Sequence, residues 1–326
     1  MDILFSRDIA SLVSRLSAYP SVYMIADRKI WESITEPLVE GFLRCGVRLK
    51  GVFETDASER LKNLRSVEKI HRFLIKNGAD RNALILALGG GITTDLAGFA
   101  AATYKRGVRY ANIPTTLLAM ADAAIGGKTG CNIAGYKNMC GAFLMPEFTF
   151  IDTDFLETLP EEEFKGGLAE VVKTFLIGDA QAYRSIADNP SRENVASLVP
   201  RAAAIKAKIV EKDFKESGPR RLLNLGHTYG HAIEKKSKGT ISHGRAVAMG
   251  IIMAAGRSEE EGVARKGLKD SLVADFNKMG LPVESPWSEK ELFRIMRTDK
   301  KAEGDGINFV LIRRAGSCIV RKLSVQ

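Results

Sequence analysis

Short apolar runs rich in β-branched residues recur through the first half of the chain, and stretches with helical spacing separate several of them. The runs predict buried strands at 21–27, 47–53, 83–88, 110–114 and 148–152, with a helix at 67–77. The run at 83–88 is almost continuously apolar, which suits a strand covered on both faces. Strands that alternate with helices indicate a parallel sheet with helices packed on its faces.

From residue 160 onward, the residue composition and the predicted elements change. Long stretches rich in Ala, Leu, Lys and Glu predict helices, and strands nearly vanish. The exception is a pair of runs at 308–313 and 317–323, which predicts a hairpin across Ala315 and Gly316. We therefore place a boundary near Thr158, with an α/β domain at 1–158 and a mainly helical domain at 159–326.

The net charge and the distribution of charged residues limit the classes of binding partner. The chain has 326 residues, 27% of them charged, and a formal net charge of +9. An excess of this kind fits nucleic acid, an anionic membrane or a small anionic substrate. Lysines and arginines alternate with acids and form no basic tail, so we expect no nucleic-acid partner. The longest apolar run, at 246–256, is too short to cross a bilayer, so we expect no membrane partner.

The number and spacing of the cysteines indicate the redox conditions in which the protein is expected to reside. Four are present, and none shows the CxxC spacing typical of a metal or redox motif. A disulfide framework is not expected in a chain of this length, and a reduced, cytoplasmic location is the default.

Three of the four histidines lie within residues 220–245. His227 and His231 are four positions apart, so a helix would place both imidazoles on one face. We predict that this helix ends near Gly239, after which a turn can bring His243 alongside. A single histidine is more often a core or surface filler, but three in one window favour a metal site.

A catalytic metal held by two imidazoles needs a further ligand, and a carboxylate is the usual complement. Glu170 is the best candidate, because it interrupts an otherwise apolar helical stretch. Lys173 follows it by one helical turn.

A glycine turn follows the strand at 83–88. Gly89, Gly90 and Gly91 precede a helix that we expect to begin near Thr94 or Asp95. Bare backbone N–H groups at a helix N-terminus form an anion site suited to a pyrophosphate. The spacing is not GxGxxG, and a plain tight turn is an equal alternative. Asp27, at the end of its strand, could accept hydrogen bonds from an adenosine ribose.

The segment 113–138 carries further polar candidates. Thr115 and Thr116 lie just beyond a strand end, where ligands bind in open parallel sheets. Asp122 lies among alanines. Glycine-rich loops then present Lys128 and Lys137, and lysines on such loops can bind carboxylate or phosphate. Taken singly, these lysines are as compatible with an ordinary solvated surface.

Together these segments resemble the 3-dehydroquinate synthase family. The matching blocks keep the family's order and lie at 89–109, 113–130, 137–143, 151–173, 220–234, 242–250 and 299–301. The resemblance implies a Rossmann-like, parallel-sheet nucleotide-binding domain and a mainly helical metal-binding domain, with the active site between them. It also implies NAD and a divalent metal, zinc or alternatively cobalt, as cofactors.

The resemblance implies a role for individual residues. Glu170, His227 and His243 match zinc ligands, whereas His231 matches a catalytic histidine. The positions that match contacts to the substrate are Asp122, Lys128, Asn138, Lys173, Lys206, Arg220, Asn224 and Lys300. Arg106 matches an arginine that reaches the active site of the neighbouring protomer in a homodimer. The positions that match contacts to NAD are Asp27, Glu59, Lys62, Gly90, Gly91, Asp95, Thr115, Thr116, Lys128, Lys137, Phe155, Thr158, Leu159 and Glu163.

The implied reaction converts 3-deoxy-D-arabino-heptulosonate 7-phosphate, a small anionic sugar phosphate, to 3-dehydroquinate and phosphate. It proceeds by transient NAD oxidation, phosphate β-elimination, re-reduction and aldol closure, as a step of the shikimate pathway to aromatic amino acids. Another sugar phosphate cyclase is the nearest alternative, followed by a metal-dependent polyol dehydrogenase and a non-catalytic protein of the same fold. Lys29, Tyr136 and Arg245 depart from the residues common in the family.

Overall fold

The computed structural model describes residues 1–299 and 306–324. Contacts between Cα atoms divide the chain into two compact units, Met1–Leu159 and Pro160–Gln326. The elements of the first unit are β1 (Ile3–Phe5), α1 (Ile9–Leu16), β2 (Val22–Asp27), α2 (Glu36–Arg44), β3 (Leu49–Thr55), α3 (Leu64–Lys76), β4 (Leu84–Gly89), α4 (Gly91–Thr103), β5 (Arg109–Pro114), β6 (Lys128–Ile133), β7 (Tyr136–Phe143) and β8 (Thr149–Ile151).

Six strands of the first unit form a parallel sheet in the order β1-β8-β5-β4-β2-β3. The parallel sheet predicted from the apolar runs is confirmed, and each of the five runs contributes a strand. The short strand β1 and the antiparallel hairpin of β6 and β7 were not predicted. The hairpin has few β-branched residues and several glycines, so its sequence lacks the usual strand signal.

Alternate side chains of the central strands fill two cores, one on each face of the sheet. Tyr23 and Ile25 of β2 pack with α3 and α4, whereas Val22 and Met24 pack on the opposite face with α1 and α2. This follows from the two-residue repeat of a strand, in which neighbouring side chains point to opposite faces. Burial on both faces explains why β2 and β4 are apolar along their whole length.

The predicted start of helix α4 was wrong by about one turn. The helix begins at Gly91 and not near Thr94 or Asp95, and Gly90 is its N-cap in an extended conformation. Gly89 has φ of +154°, a conformation that few residues other than glycine adopt. The backbone therefore completes its turn within two glycines, and the helix starts directly after them.

The second unit is mainly helical, which confirms the prediction of helices from residue 160 onward. Its elements are α5 (Glu161–Gly178), α6 (Ala180–Asp188), α7 (Arg192–Lys212), α8 (His227–Ser237), α9 (His243–Glu260), α10 (Leu268–Lys278), α11 (Glu289–Asp299), β9 (Ile307–Arg314) and β10 (Ser317–Leu323). The last two strands pair antiparallel, as the terminal hairpin prediction required. Among the described residues, no helix combines the length and the apolar character needed to traverse a membrane.

Helices α8 and α9 approach each other at two glycines. Gly226 precedes α8 with φ of +76°, and a Cβ atom there would lie 2.8 Å from the Val247 carbonyl oxygen. On α9, a Cβ atom at Gly250 would collide with the Gly226 carbonyl oxygen. The main chains are thus in direct contact, and this contact fixes the spacing of the two helices.

We predict that Gly250→Ala lowers the free energy of unfolding by about 1–3 kcal/mol, because the added methyl group has no space. Gly166→Ala is the matched control, since a Cβ atom at this helical glycine of α5 meets nothing within 4 Å. The control should leave stability unchanged or raise it by about 0.5–1 kcal/mol through helix propensity. Denaturant unfolding measures both variants, and equal stabilities would contradict the close contact.

Candidate active site and metal centre

Three metal-ligating side chains of the second unit converge on one point. Glu170 lies in the middle of α5, while His227 and His243 are the first residues of α8 and α9. Each offers a ligand atom, and these atoms lie within 4.8 Å of one another. The Glu170 Oε1 atom is 3.5 Å from His227 Nε2 and 3.2 Å from His243 Nε2. This spacing allows one cation to contact all three.

The charges around Glu170 favour its ionised form. Its side chain is fully buried, and the Lys173 ammonium lies 2.5 Å from Oε2. Burial opposes ionisation, but the Lys173 charge and the two imidazoles outweigh it and hold the Glu170 pKa well below its usual range. Burial also lowers the pKa of His227, against the pull of Glu170, so this imidazole is neutral. An ionised carboxylate and a neutral imidazole are the forms that bind a metal.

The surroundings of Glu170 support a cation at this point. Both carboxylate oxygens are buried, with Oε2 beside the Lys173 ammonium and Oε1 facing the Nε2 atoms of the two imidazoles. A buried carboxylate oxygen that faces two imidazole nitrogens is a position that a bound ion can satisfy. One carboxylate and two imidazoles are a donor set typical of catalytic zinc, with a coordination position left for substrate. The residues present therefore fit a divalent metal.

Both imidazoles are oriented through their outer nitrogen. His227 Nδ1 donates to the main-chain oxygen of Leu225 at 3.1 Å, and His243 Nδ1 donates to Glu234 Oε2 at 3.1 Å. In each ring, Nε2 therefore faces Glu170. His231 is exposed, with its ring centroid 5.3 Å from that of His227 and 6.3 Å from that of His243. The geometry brings His231 close to the cluster of ligand atoms without placing it among them.

The helix that carries His227 and His231 is shorter than the segment 220–245. Residues Pro219–Asn224 form a short 3-10 turn, and α8 begins at His227 and ends at Ser237, close to the predicted end near Gly239. The left-handed conformation of Gly226 separates the 3-10 turn from α8.

A turn organised by Asp213 holds the backbone at Arg220. The Asp213 carboxylate accepts hydrogen bonds from the backbone N–H groups of Ser217, Gly218 and Arg220. Burial raises the pKa of Asp213, but these hydrogen bonds outweigh that effect and lower it overall. The buried Arg220 guanidinium donates to the Phe214 carbonyl oxygen at 2.5 Å. Its orientation is therefore fixed by the main chain.

Asn224 has a carboxylate partner that sequence reasoning missed. Its Nδ2 atom donates to Glu216 Oε1 at 2.5 Å. Neither Glu216 nor Asp213 stands out in the sequence, because both lie in an ordinary charged stretch. Lys206 of α7 is also buried, at 7% exposure.

In the first unit, the glycine turn and Asp27 share one edge of the sheet. Ala26 of β2 pairs with Leu88 of β4, so the next residues along, Asp27 and Gly89, emerge side by side. Asp27 accepts from the Lys29 backbone N–H at 3.1 Å. Burial outweighs that hydrogen bond and raises the pKa of Asp27. A Cβ atom at Gly90 would lie 3.0 Å from the Thr116 methyl group, a tighter contact than most side chains make.

A polar network connects the loop before α3, the start of α4 and the β6–β7 hairpin. Lys62 is buried, and its ammonium donates to Asp95 Oδ2 at 2.5 Å and to Asn138 Oδ1 at 2.6 Å. Asn132 accepts from the Asn138 backbone N–H at 2.9 Å and donates to Glu59 Oε1 at 2.7 Å. Sequence reasoning selected four of these residues separately but missed Asn132, which joins them.

The network also holds Asn138 in the left-handed region, at φ of 52°. The Lys137 ammonium lies 3.9 Å from the same Glu59 oxygen that accepts from Asn132. The tip of the hairpin is thus tied to the loop before α3 by several polar contacts.

The remaining predicted residues lie at several places in the two units. Thr115 is buried and donates its backbone N–H to Gly89, whereas Thr116 accepts from the Ala119 N–H. Asp122 is half-buried in a short π-helical turn. Lys300 lies outside the described residues. Those not yet placed are the exposed Arg106, Lys128, Thr158 and Glu163, the half-buried Phe155 and the buried Leu159.

Two of the three residues that depart from the family pattern, Arg245 and Tyr136, lie at the surface of the protein. Arg245 pairs with Glu162 at 3.2 Å on an exposed surface. Tyr136 is 55% exposed at the start of β7.

Solved structures of related enzymes have the same fold. A 2-epi-5-epi-valiolone synthase from Streptomyces hygroscopicus subsp. jinggangensis 5008, with NAD+ and Zn2+ bound, has a TM-score of 0.91 at 26% identity and covers 99% of this chain and 93% of its own. A 2-deoxy-scyllo-inosose synthase complexed with carbaglucose-6-phosphate, NAD+ and Co2+ has a TM-score of 0.87 at 25% identity, with the same coverage. An alcohol dehydrogenase from Ralstonia eutropha JMP134, described as putative, shares the fold alone, at 14% identity and a TM-score of 0.65.

Sequence comparisons separate these relationships. The family model described as 3-dehydroquinate synthase N-terminal matches residues 52–166, and the corresponding C-terminal model matches residues 167–302. The 3-dehydroquinate synthase of Streptococcus sanguinis is 40% identical over 336 residues, covering all of this chain and 94% of its own. That of Acidithiobacillus ferrooxidans is 42% identical over 272 residues, covering 81% of this chain and 75% of its own. The chain belongs to the 3-dehydroquinate synthase family.

Proposed function

We propose that this enzyme is a lyase that converts 3-deoxy-D-arabino-heptulosonate 7-phosphate to 3-dehydroquinate and phosphate, with NAD and a divalent metal. The observation that carries the proposal is the cluster of Glu170, His227 and His243 in a chain of this family. Residues 1–158 form the NAD-binding domain and residues 159–326 the metal- and substrate-binding domain. A cytoplasmic location, expected from the cysteine pattern, belongs to the same proposal.

Glu170, His227 and His243 would hold the metal. When bound, the metal would polarise the reacting hydroxyl group, and NAD would serve as a transient hydride acceptor. Lys173 keeps Glu170 ionised, and the hydrogen bonds at the two Nδ1 atoms direct both Nε2 lone pairs inward. The chain thus prepares the ligand set before any cation arrives.

The substrate carries a carboxylate and a phosphate, so its binding requires several cations. Arg220 is held by Phe214 and, through its backbone N–H, by Asp213, and it would provide one of these positive charges. Asn224 and His231 would orient the substrate and move its protons. The other side chains proposed to contact the substrate are Arg106, Asp122, Lys128, Asn138, Lys173, Lys206 and Lys300.

NAD binding is proposed for the sheet edge of the first unit. The start of α4 offers backbone N–H groups to the pyrophosphate, and Asp27 would accept from a ribose hydroxyl. The Lys62 network would order Asp95 and Glu59 beside them. The complete proposed set is Asp27, Glu59, Lys62, Gly90, Gly91, Asp95, Thr115, Thr116, Lys128, Lys137, Phe155, Thr158, Leu159 and Glu163.

We expect the purified protein with NAD, zinc and the heptulosonate phosphate to release one phosphate per 3-dehydroquinate formed. The cofactor is regenerated in each cycle, so absorbance at the NADH wavelength should not rise at steady state. A metal-dependent polyol dehydrogenase would instead accumulate NADH. Phosphate and absorbance assays run on the same sample decide between the two.

The cyclases with the same fold suggest a second candidate function, cyclisation of a different sugar phosphate. The test substrate for that function is a heptulose phosphate or hexose phosphate without the carboxylate. We expect turnover only with the carboxylate-bearing compound, because an ionic contact between its carboxylate and Arg220 would be absent for the others. Faster phosphate release from glucose 6-phosphate or sedoheptulose 7-phosphate would favour the other cyclases.

Substitution of the two histidines of α8 should have different effects on zinc content. His227→Ala removes a proposed ligand, so zinc content and activity should fall together. His231→Ala should retain zinc while turnover falls about 100-fold or more, as for loss of an acid–base group. Elemental analysis after dialysis measures the zinc. Loss of zinc in His231→Ala with retention in His227→Ala would reverse the assignment.

A homodimer in which Arg106 acts on the neighbouring site is part of the proposal. Arg106 is exposed in a turn with φ of 71°, directly before β5. We expect Arg106→Ala and His227→Ala to be inactive alone but to recover activity when refolded together. A mixed dimer then has one complete site, which amounts to about a quarter of all sites at equal mixing. No recovery in verified mixed dimers would place Arg106 in its own protomer's site.

A further inference from the structure

We propose that Glu234 is a positioning residue for His243, fixing the tautomer and orientation of this imidazole and adding a negative charge beside the metal. The proposal rests on the metal assignment made above. Glu234 lies on α8 at 7% exposure, and its Oε2 atom is 3.1 Å from His243 Nδ1. No feature of the sequence alone connects these two residues.

The hydrogen bond determines which nitrogen is free. A carboxylate accepts but does not donate, so His243 Nδ1 must carry the proton. In the neutral ring, the lone pair is then on Nε2, which lies 3.2 Å from Glu170 Oε1. Metal-binding histidines commonly have such an outer partner, which also raises the basicity of the ring.

The position of Glu234 on its helix is suited to this role. It follows His227 by seven residues, two turns of an α-helix, so both lie on the same side of α8. One face of this helix therefore supplies one proposed ligand directly and supports the other across the contact with α9.

The two imidazoles are supported differently. His227 Nδ1 is held by a main-chain oxygen, that of Leu225, which carries only a partial charge. His243 Nδ1 is held by a full carboxylate charge. Because the Lys173 ammonium lies 2.5 Å from Glu170, it offsets the negative charge that Glu170 offers to a cation. Glu234 supplies a second negative charge near the site, and a divalent ion benefits from it.

Glu234→Gln tests the charge, because the amide oxygen can still accept from Nδ1. Glu234→Leu tests the hydrogen bond as well. We expect zinc affinity, measured by competition with a chromophoric chelator, to fall about 10- to 100-fold in Glu234→Gln and further in Glu234→Leu. The visible spectrum of the Co2+-loaded full-length variants should change, since it reports the geometry of the ligands.

Glu291→Gln is the matched control. Glu291 lies on α11, and its carboxylate accepts a hydrogen bond from Lys236 of α8 at 2.7 Å. Like Glu234→Gln, the change therefore removes one negative charge and weakens one contact of α8. Its zinc affinity should equal that of the unaltered protein. An equal loss in control and test variants would attribute the effect to helix packing and overturn the positioning role.

The outcomes distinguish this proposal from the function on which it rests. If the unaltered protein binds no zinc, the metal assignment fails. If it binds zinc and both Glu234 variants bind equally well, the positioning role is wrong while the metal assignment stands. Circular dichroism of the metal-free proteins checks folding, and if Glu234→Leu does not fold, Glu234→Gln alone decides.

Discussion

The second unit depends on a carboxylate ionised in a fully buried position. Removing Glu170 from water is costly, and its charge persists only because a cation lies beside it. Lys173 provides part of this compensation from one turn along α5. Two imidazoles at the starts of two different helices also face the carboxylate, so side chains of three helices surround this one buried charge. The ligand set is thus inseparable from the packing of the unit.

Much of this arrangement follows from the sequence. The strands of the sheet have apolar runs bounded by polar residues, and the change to helix-rich composition marks the second half. The spacing of His227 and His231 predicts a shared face, and Glu170 is conspicuous as an acid in an apolar stretch. These features are local, so a short window of sequence contains enough information to reveal them.

The rest depends on contacts between distant segments. Glu234 contacts His243 across a turn, and Asn132 becomes significant only when the hairpin pairs and meets Glu59. The β6–β7 hairpin itself went unpredicted because its stability comes from packing on α4 and from polar ties. Pattern reasoning detects residues that are unusual where they stand. It does not detect ordinary acids and amides whose importance comes from the segment they meet.

In both units, several of the candidate site residues have a defined polar partner. In the first, Lys62 connects Asp95 with Asn138, while in the second Asp213 gathers three backbone N–H groups that precede Arg220. Fixed partners reduce the side-chain entropy that ligand binding must otherwise remove. The cationic groups are therefore arranged by the fold itself.

The contact of Gly226 with Gly250 has a consequence for how the sequence can change. His227 follows Gly226 directly, so the start of α8 cannot move towards α9 without a clash between main-chain atoms. A larger residue at position 250 would push the start of α8 away from α9, and His227 with it. The separation of the two imidazoles is therefore sensitive to a position that carries no side chain of its own.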